Sequence, residues 1–133
     1  MTFNDIEQTL RDHELRKTKP RVELGYLIFS QHPTHWTADT LHQQSIQSGH
    51  SFSLATVYNT LNQFADKGIL RRIQLQGNLC YYDTNLNKHH HVYHTVSKHL
   101  EDIPTESITT QIHWTGLQSK TAPEFDIIVH AHD

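Results

Sequence analysis

The sequence predicts an α+β fold whose N-terminal part is a winged helix-turn-helix. Three observations predict it: a capped amphipathic segment at residues 53–68, two β-prone runs joined by a Gly-Asn turn directly after it, and two further capped helical segments before it. A helix followed by such a hairpin is the winged-helix layout.

Thr18 caps the first of these helices, with Pro20 in its first turn and Val22, Tyr26 and Phe29 on one side. Thr37 caps the second, which carries Ala38, Leu41 and Ile46 and is ended by Gly49. Ser53 caps the third, where Leu54, Val57, Leu61, Phe64 and Ala65 follow helical spacing and Lys67-Gly68 closes the last turn. Its other side shows small, amide and phenol side chains and no charge until Asp66. Asn can make two hydrogen bonds to adenine, and small or aromatic groups can touch a thymine methyl. Ala55, Thr56, Tyr58, Asn59 and Asn62 are therefore candidate base readers. On an isolated segment an ordinary solvated face would be the better reading, and the hairpin that follows tips the balance. That hairpin runs from Gly68 to Leu75, turns through Gln76-Gly77-Asn78 and returns from Leu79 to Asp83, with Arg71 and Arg72 at its entry.

Arg16, Lys17, Lys19 and Arg21, four of the eleven Lys and Arg residues, fall within six positions around Thr18. A helix N-terminus behind a basic loop suits phosphates, which adds Arg16, Lys19 and Arg21 to the candidate DNA contacts. A solvated basic turn is the alternative. Residues 1–84 carry eight basic and eight acidic side chains and residues 85–133 three and six, so with a net charge of -3 DNA binding must rest on local clusters.

A chain of 133 residues has room for one ordinary domain or two small ones. No apolar run is long enough to span a membrane and no N-terminal signal pattern is present, so a cytoplasmic protein is expected. The single Cys80 excludes an internal disulfide and a cysteine-rich zinc knuckle. With no nucleophile elbow, His-Glu-x-x-His helix or phosphate loop, an enzyme is not expected.

Thirteen histidines are the second anomaly, and the dense group is Lys88-His89-His90-His91-Val92-Tyr93-His94, between Asp83 and Glu101-Asp102. Imidazoles with carboxylates make a borderline site suited to Fe(II), Zn(II) or Mn(II). Adjacent strand residues point to opposite faces, so His89 and His91 serve one side and His90 the other. A lone histidine is more often structural; a run of three flanked by acids favours function. The final His130-Ala131-His132 reads as a frayed tail.

With these residues in view, the chain resembles the ferric uptake regulator superfamily, most closely its iron response regulator group. The matching text is Thr18-Lys19-Pro20-Arg21, Trp36-Thr37-Ala38-Asp39, Ser53 to Leu61, Tyr82-Asp83-Thr84-Asn85, His89-His90-His91 and Asp102-Ile103-Pro104, across most of residues 15–104. The resemblance implies a winged-helix DNA-binding domain at 1–84, a hinge at 85–88, and a small α+β dimerisation and sensing domain at 89–133 with a strand at Phe125 to Val129. About 45 residues hardly bury a core alone, so a homodimer also follows from size, with that strand and Ile103, Ile108 and Ile112 in need of a partner surface.

The resemblance also implies site residues. Arg16 matches the position that reaches the minor groove. His35, Asp83, His91 and Asp102 match ligands of the regulatory metal site, for one divalent ion (Fe, Mn or Zn). The family's further histidine, two residues after His91, is Tyr93 here, and His94 would face the other way in a regular strand. A second family metal site keeps only His90, since its aspartate position reads Val92, and the four-cysteine zinc site is absent. In the iron response group a triple histidine is associated with haem, which makes His89, His90 and His91 haem candidates; the Cys-Pro haem motif is missing, because Tyr81 follows Cys80.

The function implied is a transcription regulator of iron and haem homeostasis that binds a palindromic DNA operator. Ligands from both sides of the hinge would hold two recognition helices about one helical turn, or a multiple, apart and so select the DNA-competent dimer. In the iron response group the sense is inverted, with activity lost on haem binding. Two readings compete: a peroxide sensor of the same fold, whose iron oxidises a ligand histidine, and a haem carrier, which would not need the uncharged face at 55–62.

Overall fold

The structure, a computed structural model, describes residues 1–31, 35–111 and 125–133. Its architecture is α+β, in two units, Met1–Leu86 and Asn87–Asp133. Ile112 lies outside the described residues.

The first unit opens with α1 (Phe3–Asp12), a helix beyond the three expected from the sequence. A capping box starts it: Asp5 N donates to Thr2 Oγ1 at 3.2 Å and Thr2 N to Asp5 Oδ2 at 2.8 Å. Ile6 and Leu10, one turn apart, are its buried face. α2 (Lys19–Ser30) has the expected Thr18 cap and first-turn Pro20. Its buried residues are Val22, Leu24, Gly25, Leu27 and Ile28, not a Val22–Tyr26–Phe29 stripe, because α1, α3 and α4 all pack on it. Tyr26 and Phe29 are half-buried, and Tyr26 stacks on Phe3 with ring centroids 4.4 Å apart. A Cβ on Gly25 would lie 2.9 Å from Ile6 Cγ2, so glycine is what lets α1 and α2 approach.

α3 (Ala38–Gln47) follows its Thr37 cap, and Gly49 beyond it takes φ +88°. Leu41 and Ser45 are buried while Ile46 is 54% exposed. Four residues return to the same helix face; five carry Ile46 round to solvent. α4 (Leu54–Asp66), capped by Ser53, buries Val57, Thr60, Leu61 and Phe64. Leu54, expected on that stripe, is 44% exposed because it sits in the first turn, where it lines a surface groove.

The expected hairpin pairs β2 (Arg71–Gln74) with β3 (Cys80–Asp83). Gly77 and Asn78 take φ of +71° and +62°, the left-handed pair that a tight hairpin turn requires. A two-residue strand, β1 (His35–Trp36), pairs with the other edge of β3, giving the order β1-β3-β2 with His35 opposite Asp83 and Trp36 opposite Tyr82. Trp36 and Tyr82 join Leu24, Ile28, Leu41, Leu61 and Phe64 in the helical core, so one face of this sheet is core.

In the second unit, β4 (His90–His94) is central: β5 (His99–Ile103) pairs with it antiparallel and β6 (Ile128–Ala131) in parallel. A 3-10 turn follows at Thr105–Ser107. β6 starts three residues later than the expected strand at Phe125, because its register against β4, from His91 opposite Ile128 to His94 opposite Ala131, sets its extent. His130-Ala131 is therefore sheet and not a frayed tail, and Asp133 Oδ1 beyond it meets His94 Nδ1 at 2.8 Å. Among the described residues of this unit, Leu100 is the one fully buried apolar side chain. Val92, Ile103, Ile108 and Ile128 are half-buried and Val129 is 43% exposed. No helix among the described residues is long and apolar enough to cross a membrane.

Candidate metal centre and nucleic-acid interface

Each unit holds a cluster of metal-ligand types. In the first, the β1–β3 ladder sets His35 Nε2 3.2 Å from Oδ2 of the fully buried Asp83. The other Asp83 oxygen accepts from Asn85 N at 2.8 Å, which orients the carboxylate. In the second unit, the β4–β5 ladder sets Asp102 opposite His91, and Asp102 Oδ1 lies 3.4 Å from His91 Nε2 and 3.1 Å from His89 Nε2. One ligand atom from each of these three residues lies within 4.8 Å of the other two.

His89 and His91 share a side of the strand edge, as alternation predicts, with rings 4.5 Å apart. His90 turns away to stack on Phe125, and its Nδ1 accepts from Ile127 N at 3.2 Å. His89 thus joins the candidate metal cluster, where sequence matching had offered only His91 and Asp102. The strand alternation read from the sequence had already put His89 on the side of His91.

The chemistry of this cluster fits a cation. His89 Nδ1 bonds the Asn87 carbonyl, which can only accept, so Nδ1 carries the hydrogen and Nε2 of the neutral ring presents a lone pair. That lone pair faces a carboxylate oxygen that also only accepts. Imidazole nitrogens with a carboxylate oxygen suit a borderline divalent ion. Tyr93, at the position of the family's further histidine, packs edge-on against His130 at 6.1 Å. His94 belongs to a separate, exposed cluster: its Nδ1 and Nε2 meet Asp133 and Glu101 at 2.8 and 2.9 Å. The hydrogen bonds to Asp133 and then Glu101 raise its pKa, and His94 in turn lowers that of Asp133.

The nucleic-acid candidates lie in the first unit. Ala55, Tyr58 and Asn59 are exposed on the outer side of α4, Tyr58 by 51%. Thr56 is half-buried, its Oγ1 accepting from Ser53 Oγ at 3.0 Å. Leu54, Ala55, Tyr58 and Asn59 face the hairpin residues Asn78 and Cys80 across a groove of about 490 Å³. Burial pushes the Cys80 thiol pKa up, away from the reactive thiolate. Arg16 and Lys19 are exposed. Arg21 ties α2 to α4: its Nη1 donates to the Arg16 carbonyl at 2.7 Å, and its Nε and Nη2 both donate to Gln63 Oε1 at 3.2 Å. It lines a second groove, of about 260 Å³, with Thr18, Thr56 and Asn59.

Asn62, expected to face bases, has its side-chain oxygen engaged within the first unit. Its Oδ1 accepts from Tyr82 OH at 2.7 Å and from Arg72 Nη2 at 3.0 Å, whereas a bidentate adenine contact would use that oxygen. Tyr82 and Arg72 were not among the site residues expected from the sequence; the arginine pair at the hairpin entry was its one signal.

A model of the ferric uptake regulator family matches residues 12–122. The chain is 30% identical over 131 residues to the ferric uptake regulation protein of Neisseria meningitidis serogroup B, covering 97% of this chain and 87% of the relative. It is 33% identical over 88 residues to that of Vibrio anguillarum, covering 66% of this chain and 59% of the relative's length. Among solved structures, the ferric uptake regulator from Pseudomonas aeruginosa with manganese superposes with a TM-score of 0.72 at 19% identity, covering 96% of this chain and 97% of that one.

Proposed function

Because this chain belongs to the ferric uptake regulator family, we propose that it is a metal-responsive, homodimeric transcription regulator, and not an enzyme, that binds palindromic DNA in the cytoplasm. The observation that carries the metal half of this reading is the His89–His91–Asp102 cluster, where two imidazole nitrogens lie 3.1 and 3.4 Å from one carboxylate oxygen. The ligand set we propose is His35, Asp83, His91 and Asp102 with His89 added, for one divalent Fe, Mn or Zn ion per subunit; ferric uptake regulators of this fold have been solved with manganese and with iron, and a manganese uptake regulator of this fold with zinc. Binding of the ion would favour the DNA-competent dimer.

The DNA half is supported by the exposed Ala55, Tyr58 and Asn59 on α4 and by Arg16 and Lys19 beside the α2 N-terminus. The dimer is supported by the thin apolar core of the second unit, with its exposed Val129. Fluorescence anisotropy with a ferric-box duplex and a random duplex, on protein stripped of metal and then loaded with Mn(II) or Zn(II), tests the whole reading. Metal should change the affinity for the ferric-box duplex selectively, and sedimentation should show a dimer. Equal binding to both duplexes, with and without metal, would reject it.

Haem and peroxide remain finer versions of the same proposal, each with its own measurement. His89, His90 and His91 are each at most 5% exposed, so haem ligation asks one of them to leave its place; a Soret titration against manganese reads that directly, and competition would mark His91 as shared. Oxygen addition at His35 or His91 after peroxide, read by mass spectrometry, would mark the peroxide-sensing version.

A further inference from the structure

We infer that Tyr82 is a positioning residue that links the metal-ligand pair of the first unit to the DNA-reading helix. The inference deepens the metal-responsive reading and rests on it. β3 carries Tyr82 and Asp83 side by side, and β1 sets Trp36 and His35 opposite them. Neighbouring strand residues face opposite sides of a sheet. Tyr82 and Trp36 therefore occupy the side that belongs to the helical core, 1% and 2% exposed, while His35 and Asp83 meet on the other.

From the core side, Tyr82 reaches α4. Its hydroxyl donates to Asn62 Oδ1 at 2.7 Å, and Arg72, its register partner in β2, donates to the same oxygen at 3.0 Å and to Asp66 Oδ1 at 3.1 Å. The guanidinium carbon lies 6.0 Å from the Tyr82 ring centroid. Asn62 follows Tyr58 by four residues and Asn59 by three, so all three share one side of α4. A helix held at Asn62 is thus held one turn from its base-reading side chains. Packed strands move as units, and a ligand that fixes Asp83 fixes β3, the Tyr82 hydroxyl and through it the orientation of α4.

Tyr82→Phe tests this, because it keeps the buried ring and removes only the donor. In the full chain it should leave Mn(II) and Zn(II) affinity within about twofold of the parent. The ratio of metal-loaded to metal-free DNA affinity should fall by about fivefold, the scale of one lost hydrogen bond. Metal should also slow amide exchange at residues 60–64 of the parent and not of the variant. Asn62→Ala should lower the same ratio by at least as much, because it also removes the Arg72 bond, and the double variant should fall no further than Asn62→Ala alone. A Tyr82→Phe protein with the full metal-induced gain, or additive losses in the double variant, would overturn the inference and leave the metal-responsive reading intact. A parent protein with no metal-induced gain would overturn both.

Discussion

Asp102 stands directly opposite His91 in the β4–β5 ladder, with its Oδ1 3.4 Å from His91 Nε2. If this pair ligates metal, Asp102→Asn and His91→Ala should each weaken Mn(II) or Zn(II) binding by more than the roughly 10- to 100-fold that loss of an outer-shell partner costs. His89→Ala should do the same, which separates the cluster seen here from a ligand set without His89. Competition against a chelating dye measures all three, with far-UV circular dichroism as the check on folding. Full metal affinity in His89→Ala would place that histidine outside the site.

The contact of His94 with Asp133 should depend on pH from both sides. His94 has a raised pKa, so its contribution is complete below its ordinary value of 6.5 and is lost as pH rises through the raised value. Asp133 has a lowered pKa, so its contribution is present above its ordinary 3.8 and is lost as pH falls through the lowered value. The contact is therefore complete between about pH 3.8 and 6.5. Exchange protection of the Thr95 amide, which donates to the Ala131 carbonyl at 2.8 Å, reports on it once the intrinsic rates are divided out. His94→Gln should flatten the profile, and an equally pH-dependent variant would assign the effect elsewhere.

On DNA, Tyr58→Ala and Asn59→Ala should each cost about 1–3 kcal/mol on the cognate duplex and less on random sequence. Equal losses on both duplexes would remove them from base readout. Arg16→Ala should weaken both complexes and lower the salt slope by about one, the mark of a single phosphate contact.

Gly25→Ala should destabilise the first unit by about 1–3 kcal/mol, because the added methyl meets Ile6 Cγ2 inside a packed helix contact where neither helix can retreat freely. The urea midpoint reads this. An unchanged midpoint would mean that α1 shifts without cost.

The elements most legible in the sequence were those whose signals are local. The Thr18, Thr37 and Ser53 caps and the Gly77-Asn78 turn are each written within four residues. Elements set by partners were harder to read. β1 is two residues long and exists because β3 has an open edge, and β6 takes its limits from β4, not from its own composition. α1 did have a local signal, Thr2 and Asp5 ahead of Ile6 and Leu10, but it is too short a pattern to stand out without the core it packs on. At the candidate sites, strand alternation placed His89 with His91 and His90 apart. The bonds that Asn62 makes to Tyr82 and Arg72 were not legible, because a helical wheel shows the outer face and not the hairpin that folds across its edge.

The parallel pairing of β4 with β6 has a kinetic consequence. The β4–β5 hairpin, which brings His89 and His91 to Asp102, closes over a few residues, whereas the ladder to β6 joins positions 37 apart in the chain. Local hairpins form in microseconds, and long-range pairings must wait for the entropy of a large loop to be overcome. During refolding the donors should therefore come together before their sheet is complete. A metal ion present at that stage would be captured by a half-built unit and would speed its completion, so refolding rate, and not only final stability, should respond to the ion.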